Sequence, residues 1–310
     1  MELGLVTSSS YLRSEESTLL RLLRRYEGDI RQLHVGLHVV GRAYSAIVSH
    51  GVMANYEGLH QYSNDRYSGL VGVAAAIVDT GPDALDGLVY LASPDDASAL
   101  LPEAVTLKRQ CLIHSKPYLS TMASFVDWIE TERLLMGHPC RPGTASPDDT
   151  ASTQTLALIA HDGMKQAMLS FVGEYFDLLS RFARRVSTAS TGHRLNALAR
   201  ERGWPPDIPW TSCCRSGPLG GDAQIARLVL THQCQRVLFF RDPLVPHAHE
   251  ADIGMLERAI AANTEDTVYI ASPAMAIRWA EAAHRCISER REISSARQDG
   301  RPHSEISGED

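Results

Sequence analysis

The stretch LALIAHDGMKQAMLSFVGEYFDLLSRF, Leu156 to Phe182, decides the fold. Its first five residues are apolar without interruption, the pattern of a strand buried on both faces. His161, Asp162 and Gly163 break that run. Apolar residues then recur at three-to-four spacing, as a helix that buries one face requires. A strand followed at once by such a helix is the building unit of a parallel sheet. Downstream the unit recurs: RRVSTA, WTSCC, RVLFF and TVYIAS alternate with helical stretches as far as Ile287. The expected class is therefore α/β, a five-stranded parallel sheet with helices on both faces, a three-layer α/β/α domain.

Upstream, residues 3–136 carry the same order of patterns. LGLV lies over LALIA, LHVGLHVVGRAYSAIVSHG over RRVSTASTGHRLNALARERG, and YSGLVGVAAAIV over RSGPLGGDAQIA. DGLVYLAS then matches QRVLFFRD, and KPYLSTMASFVDWIE matches TVYIASPAMAIRWAE. An internal duplication accounts for five matches in one order; two unrelated α/β domains of similar outline are the alternative. The intervening GHPCRPGTASPDDTASTQ is rich in Pro, Gly, Ser and Thr, as a linker is. The expected division is a domain over 1–136, a linker over 137–154 and a second domain over 155–286. A polar, aperiodic tail over 287–310 is expected to be disordered.

The 310 residues are 44% apolar and 22% charged, within the range of globular proteins. No apolar run approaches the roughly 20 residues needed to span a bilayer, and MELGLVTSSSYLRSEE lacks the basic and apolar regions of a signal peptide. Six cysteines show neither CxxC pairs nor framework spacing, and 13 histidines stand apart from them. These features suggest a reduced, cytoplasmic protein without a structural metal. The net charge of −7 argues against nucleic acid as a partner. That charge is uneven: residues 1–150 hold 12 basic against 18 acidic groups, residues 155–286 hold 14 against 13. An anionic small ligand is drawn more readily to the second segment.

Ligands of open parallel sheets bind beyond the carboxyl ends of the strands. In the second segment those ends supply His161, Asp162 and Lys165; then Thr188, Ser190 and Thr191; then Ser216, Gly217 and Asp222; then Asp242, His247, His249 and Asp252. Hydroxyls and glycines ahead of a helix suit a phosphate, because helix N-termini present unpaired N–H groups. The same residues serve as plain N-caps, and Asp222 serves equally as a first-turn aspartate. Lys165 adds a full positive charge. A carboxylate beside phosphate donors and imidazoles, with no metal-ligand set, suits proton abstraction next to a carbonyl.

ALIAHDGMK, STASTGHRL, SGPLGGDAQI and FFRDPLVPHAHEAD together resemble the successive motifs of methylglyoxal synthases, over roughly Leu156 to Ala283. The resemblance implies conversion of dihydroxyacetone phosphate to methylglyoxal and phosphate, with no metal or organic cofactor. It implies Asp222 as base, with His249, Asp252 and His161 as the other catalytic residues. Lys165, Thr188, Ser190, Thr191, Ser216 and Gly217 would bind the substrate phosphate. Phosphate is then also a product and inhibitor. Three departures stand out: Ala189 and Ser190 replace glycine and threonine, Ala248 replaces a proline, and the family's C-terminal arginine lacks an alignable counterpart. Pro246-His247 offers a rival register, but the His-x-x-Asp spacing selects His249; Arg285 and Arg290 are candidates for the arginine. In the upstream copy Thr7-Ser8 take the place of His161-Asp162, Tyr11 of Lys165, Val40 of Thr191 and Ala74 of Asp222, leaving only Ser68-Gly69 of the phosphate set. The first half thus reads as a degenerate duplicate. The family's hexameric habit suggests a trimer of tandem chains, with neither nucleic acid nor membrane as partner. A regulatory module that binds an anionic metabolite without chemistry is the alternative function.

Overall fold

A computed structural model describes residues 1–12, 17–97, 101–141, 150–246 and 249–298. The first half contains β1 (Glu2–Thr7), α1 (Thr18–Gln32), β2 (Gly36–Val40), α2 (Arg42–Ser49), β3 (Leu59–Ser63) and α3 (Arg66–Val78). It continues through β4 (Gly87–Leu91), α4 (Pro102–Ile113), β5 (Tyr118–Leu119) and α5 (Met122–Leu135). The second half runs through β6 (Thr155–Ala160), α6 (Lys165–Glu174), α7 (Phe176–Ser180), β7 (Arg184–Ser187), α8 (Ala189–Glu201), β8 (Ser212–Cys213) and α9 (Gly221–Leu230). β9 (Arg236–Phe240), α10 (Glu250–Ala262), β10 (Val268–Ile270) and α11 (Pro273–Gln298) complete it.

All strand pairs are parallel, in sheets ordered β3-β2-β1-β4-β5 and β8-β7-β6-β9-β10. The two orders are the same when each half is numbered from its own first strand, so the chain holds two tandem domains of one topology. Each sheet is covered on both faces by apolar clusters, and this makes the three layers. The central strand β6 is buried at every residue, which is why its sequence is apolar throughout rather than alternating. Among the described residues, no helix is long and apolar enough to cross a membrane.

The halves meet along the edge of β10. Its outer backbone groups are taken up by hydroxyls from the start of α5. Thr121 Oγ1 donates to the Thr267 carbonyl at 2.7 Å, and Ser124 Oγ accepts from the Tyr269 N–H at 2.8 Å. An edge strand that would otherwise offer unpaired N–H and C=O groups is thereby closed. Ion pairs surround this seam. Arg236 forks onto Asp127, Arg278 onto Glu132, and Glu257 holds both Lys108 at 2.5 Å and Arg241 at 2.8 Å. Burial alone would raise the Glu257 carboxyl, but the two cations outweigh it and hold it down at about 2.

Two expectations are corrected here. The region after residue 286 is helical as far as Gln298, and Ile287 is buried in the second half's core, so the chain does not leave the fold at 286. Residues 299–310 lie outside the described residues, as do 142–149 of the linker. The cysteines are not all reduced either: Cys140 and Cys286 form a disulfide, and Cys111, Cys213, Cys214 and Cys234 are free. The pair stands 146 residues apart and meets only because α11 packs against α5. Spacing within the sequence carries no trace of it. The near end of the linker is fastened too, with Arg141 paired to Asp29 and Glu130.

Candidate active site

Four turns at the carboxyl edge of the second sheet enclose a cavity of about 320 Å³. β6 ends in a 3-10 turn, Asp162–Met164, that places His161 and Lys165 on the wall. Lys165 is 8% exposed and ion-paired to Asp162, whose carboxyl the ammonium holds below its usual range. β7 delivers Thr188 as the N-cap of α8, with Ser190 one residue inside the helix. Thr191 does not line the cavity; it is buried behind Thr188, 3.5 Å between hydroxyl oxygens.

The third wall is the glycine stretch after β8. Ser216 and Gly217 line the cavity, and the chain then turns through Gly220 at φ +91°, a left-handed conformation that side chains disfavour. That turn starts α9 and sets Asp222 in its first turn, pointing into the site. A Cβ on residue 217 would sit 3.0 Å from Asp222 Oδ2 and 3.2 Å from His249 Nε2, so a side chain there would crowd both. The fourth wall is His249, the N-cap of α10. Asp252 stands in the first turn of the same helix, outside the lining. His247 lies outside the described residues.

Asp222 is 1% exposed, and its Oδ2 has no hydrogen-bond partner among the described residues. His249 Nε2 stands 3.8 Å from that oxygen. Burial raises the Asp222 carboxyl above its ordinary range, His249 opposes this, and Asp252 adds to the rise. An unsolvated carboxylate is a stronger base than one in water, which is what proton abstraction from carbon needs. His161 Nδ1 accepts the Asp242 backbone N–H at 3.0 Å, so the proton of the neutral ring resides on Nε2. His161 is thereby a donor, with its ring 6.3 Å from that of His249. Asp242, which sets this tautomer through its main chain, is a contributor that side-chain chemistry could not reveal. Phe239, edge-on to His161 at 5.0 Å, also lines the cavity and was not singled out from the sequence.

The chain is 42% identical over 108 residues to the methylglyoxal synthase of Rhizobium etli, covering 79% of that protein and 35% of this one. It is 36% identical over 125 residues to the methylglyoxal synthase of Clostridium perfringens, covering 95% of that protein and 37% of this one. The chain belongs to the methylglyoxal synthase family. No family model matches it. Among solved structures, the methylglyoxal synthase of Elizabethkingia anophelis is similar over 41% of this chain and 76% of its own, at 26% identity and a TM-score of 0.33. These two relatives match about a third of this chain.

Hydrogen-bond register places the halves on one another and corrects the residue pairs expected from the sequence. The Ser8 N–H donates to the Leu91 carbonyl as the His161 N–H donates to that of Phe240; Tyr11 bonds back to Ser8 as Met164 bonds back to His161. Ser8, not Thr7, therefore stands for His161, and Leu12, not Tyr11, stands for Lys165. Pairing along the sheets sets Val39 beside Leu5 as it sets Ser187 beside Leu158, so Val40, the next residue, stands for Thr188 and not for Thr191. Ser68 and Gly69 lie inside α3, so they are not the counterparts of the loop residues Ser216 and Gly217. Counted from the helix caps, Tyr67 takes the place of Asp222, Leu101 of His249 and Ala104 of Asp252. Ala74 is mid-helix. Arg285 and Arg290 donate to the carbonyls of Leu135 and Arg141, and neither lines the cavity.

Proposed function

We propose that the second half converts dihydroxyacetone phosphate to methylglyoxal and phosphate. One observation carries this reading: the buried Asp222 carboxylate, whose Oδ2 has no hydrogen-bond partner among the described residues, faces the same small cavity as Lys165, Thr188 and two imidazoles. Lys165, Thr188, Ser190, Ser216 and Gly217 hold the substrate phosphate. Thr191 supports Thr188 from behind. Asp222 takes a proton from the C3 carbon, and the electron pair of that C–H bond moves toward the carbonyl oxygen as an ene-diolate. His161 Nε2–H and His249 stabilise the developing oxyanion and pass protons among the oxygens. The ene-diolate then expels phosphate from C1, and the enol left behind tautomerises to methylglyoxal. Asp252 acts at one remove, through its charge on Asp222 and its place on the helix that carries His249. The members of the family to which the chain is similar bear the name of this activity.

The test is direct. The full chain is incubated with dihydroxyacetone phosphate, and dicarbonyl and inorganic phosphate are measured together. Equal release of both supports the reading; binding of phosphate without either product would favour an anion-sensing role. We also propose that the 34.0 kDa chain assembles as a trimer whose six domains form a ring with three working sites. Sedimentation giving an active monomer would exclude this assembly.

A further inference from the structure

The first half carries a second constellation, on neighbouring strands and far from any counterpart in the second half. Glu2 on β1, His38 on β2 and His60 on β3 lie on one sheet face, His38 paired directly with His60 in register. Nε2 of His38 is 2.6 Å from Oε2 of Glu2. The His38 and His60 rings are 4.9 Å apart between centroids. One ligand atom from each residue lies within 4.8 Å of the other two. Gly36 makes this possible, because a Cβ there would collide with the Glu2 carboxylate as it crosses β2. Sheet register gives Thr155, Val186 and Ser212 at the equivalent positions of the second half. A valine is the ordinary occupant of such a strand position. The imidazole pair and carboxylate belong to the first half alone.

We propose that Glu2, His38 and His60 bind one divalent transition-metal ion of the zinc type. Two imidazole nitrogens and one carboxylate oxygen are the donor set borderline cations such as Zn²⁺ and Co²⁺ prefer. The cation takes the place of the direct contact between His38 Nε2 and Glu2 Oε2. His60, exposed at the sheet edge, turns in to complete three protein ligands, and water fills the remaining position. Three strands supply the ligands, so the backbone holds them more rigidly than a loop could. The bound ion ties the edge strand β3 to β2 and β1, in the half that does no chemistry in the proposed reaction.

The full chain, stripped with chelator and desalted, is titrated with Co²⁺ followed by visible absorption and with Zn²⁺ followed by calorimetry. The expected result is one tight equivalent per chain and a rise in Tm with Zn²⁺. His60→Ala removes an exposed side chain and leaves the fold and turnover intact; in it the affinity falls at least about tenfold and the Zn²⁺-dependent rise disappears. Glu2→Gln, which keeps the shape, gives the same loss. Absence of binding to the wild-type chain, or binding equally tight in His60→Ala, would overturn the assignment.

Discussion

At the end of the first strand of each half, the same backbone N–H meets a different side chain. The Asp242 N–H donates to Nδ1 of His161 at 3.0 Å, and in the first half the Ser93 N–H donates to Oγ of Ser8 at 3.0 Å. The main-chain device is common to both halves, and the side chain it meets is not. The imidazole projects a second nitrogen into a cavity; the serine hydroxyl is taken up locally by Asp96. Around it Leu12, Val40, Tyr67 and Leu101 stand where the second half has Lys165, Thr188, Asp222 and His249. None of those replacements disturbs the sheet: Val40 joins the first half's core and Leu12 packs against it, while Tyr67 and Leu101 stand exposed. A fold can therefore lose a site at the carboxyl edge of its strands and keep its stability.

The largest expected effect comes from Asp222→Asn, which keeps the shape and removes the base. Turnover of the whole chain falls by about 10²–10⁴. The first half has Tyr67 at the position of Asp222, and near-normal turnover in this variant would break the comparison at its centre. The same variant sharpens it through stability. A carboxyl raised by burial is destabilising when ionised, a penalty absent below its unfolded-state pKa and fully present above its folded-state pKa. Asp222→Asn is thus at least as stable as the wild type at pH 7, and denaturant midpoints of the two converge on acidification. In the wild type, the acid limb of the pH–rate profile lies above the ordinary aspartate range for the same reason.

Lys165→Ala comes next. Loss of a charge-assisted contact to phosphate corresponds to about 10–100-fold in affinity, read as a raised KM and weaker inhibition by inorganic phosphate. Unchanged inhibition would place the lysine outside the site and level one difference between the halves.

Glu257→Gln probes the seam rather than the cavity. It leaves Lys108 of the first half and Arg241 of the second without their shared carboxylate, at a cost on the order of 3 kcal/mol. The effect is read as a lowered denaturant midpoint at pH 7. Because the Glu257 carboxyl sits at about 2, its contribution is complete above the usual glutamate range and is lost as pH falls toward 2. Wild type and variant should therefore differ most near neutrality and least in strong acid.

The smallest effect is expected from Ser8→His, which restores one imidazole to a site lacking its base, lysine and cap. Turnover in an Asp222→Asn background stays unchanged on this addition. Measurable recovery would show that the first half retains more of the site than its side chains indicate.

The periodicity around Leu156 to Phe182 sufficed for the three-layer class, and the repeated order of patterns sufficed for the duplication, because buried parallel strands must be apolar throughout. The residues at four strand ends were legible for a similar reason: polar groups directly after such strands have only the carboxyl edge to occupy. What tertiary structure decided was register. Ser8 matches His161, and Tyr67 matches Asp222, only through hydrogen bonds between strands and through helix caps; for the second pair the loop before α9 has no equal before α3 and shifts the letter-by-letter match. The Cys140–Cys286 disulfide, the packing of the helix that runs on to Gln298 and the half-buried pair of Lys108 with Glu257 lay beyond sequence reading because they join residues more than 140 positions apart. So did the convergence of Glu2, His38 and His60. Spacing along a chain reports neighbours on one helix or strand, whereas contacts across a sheet depend on which strand lies beside which.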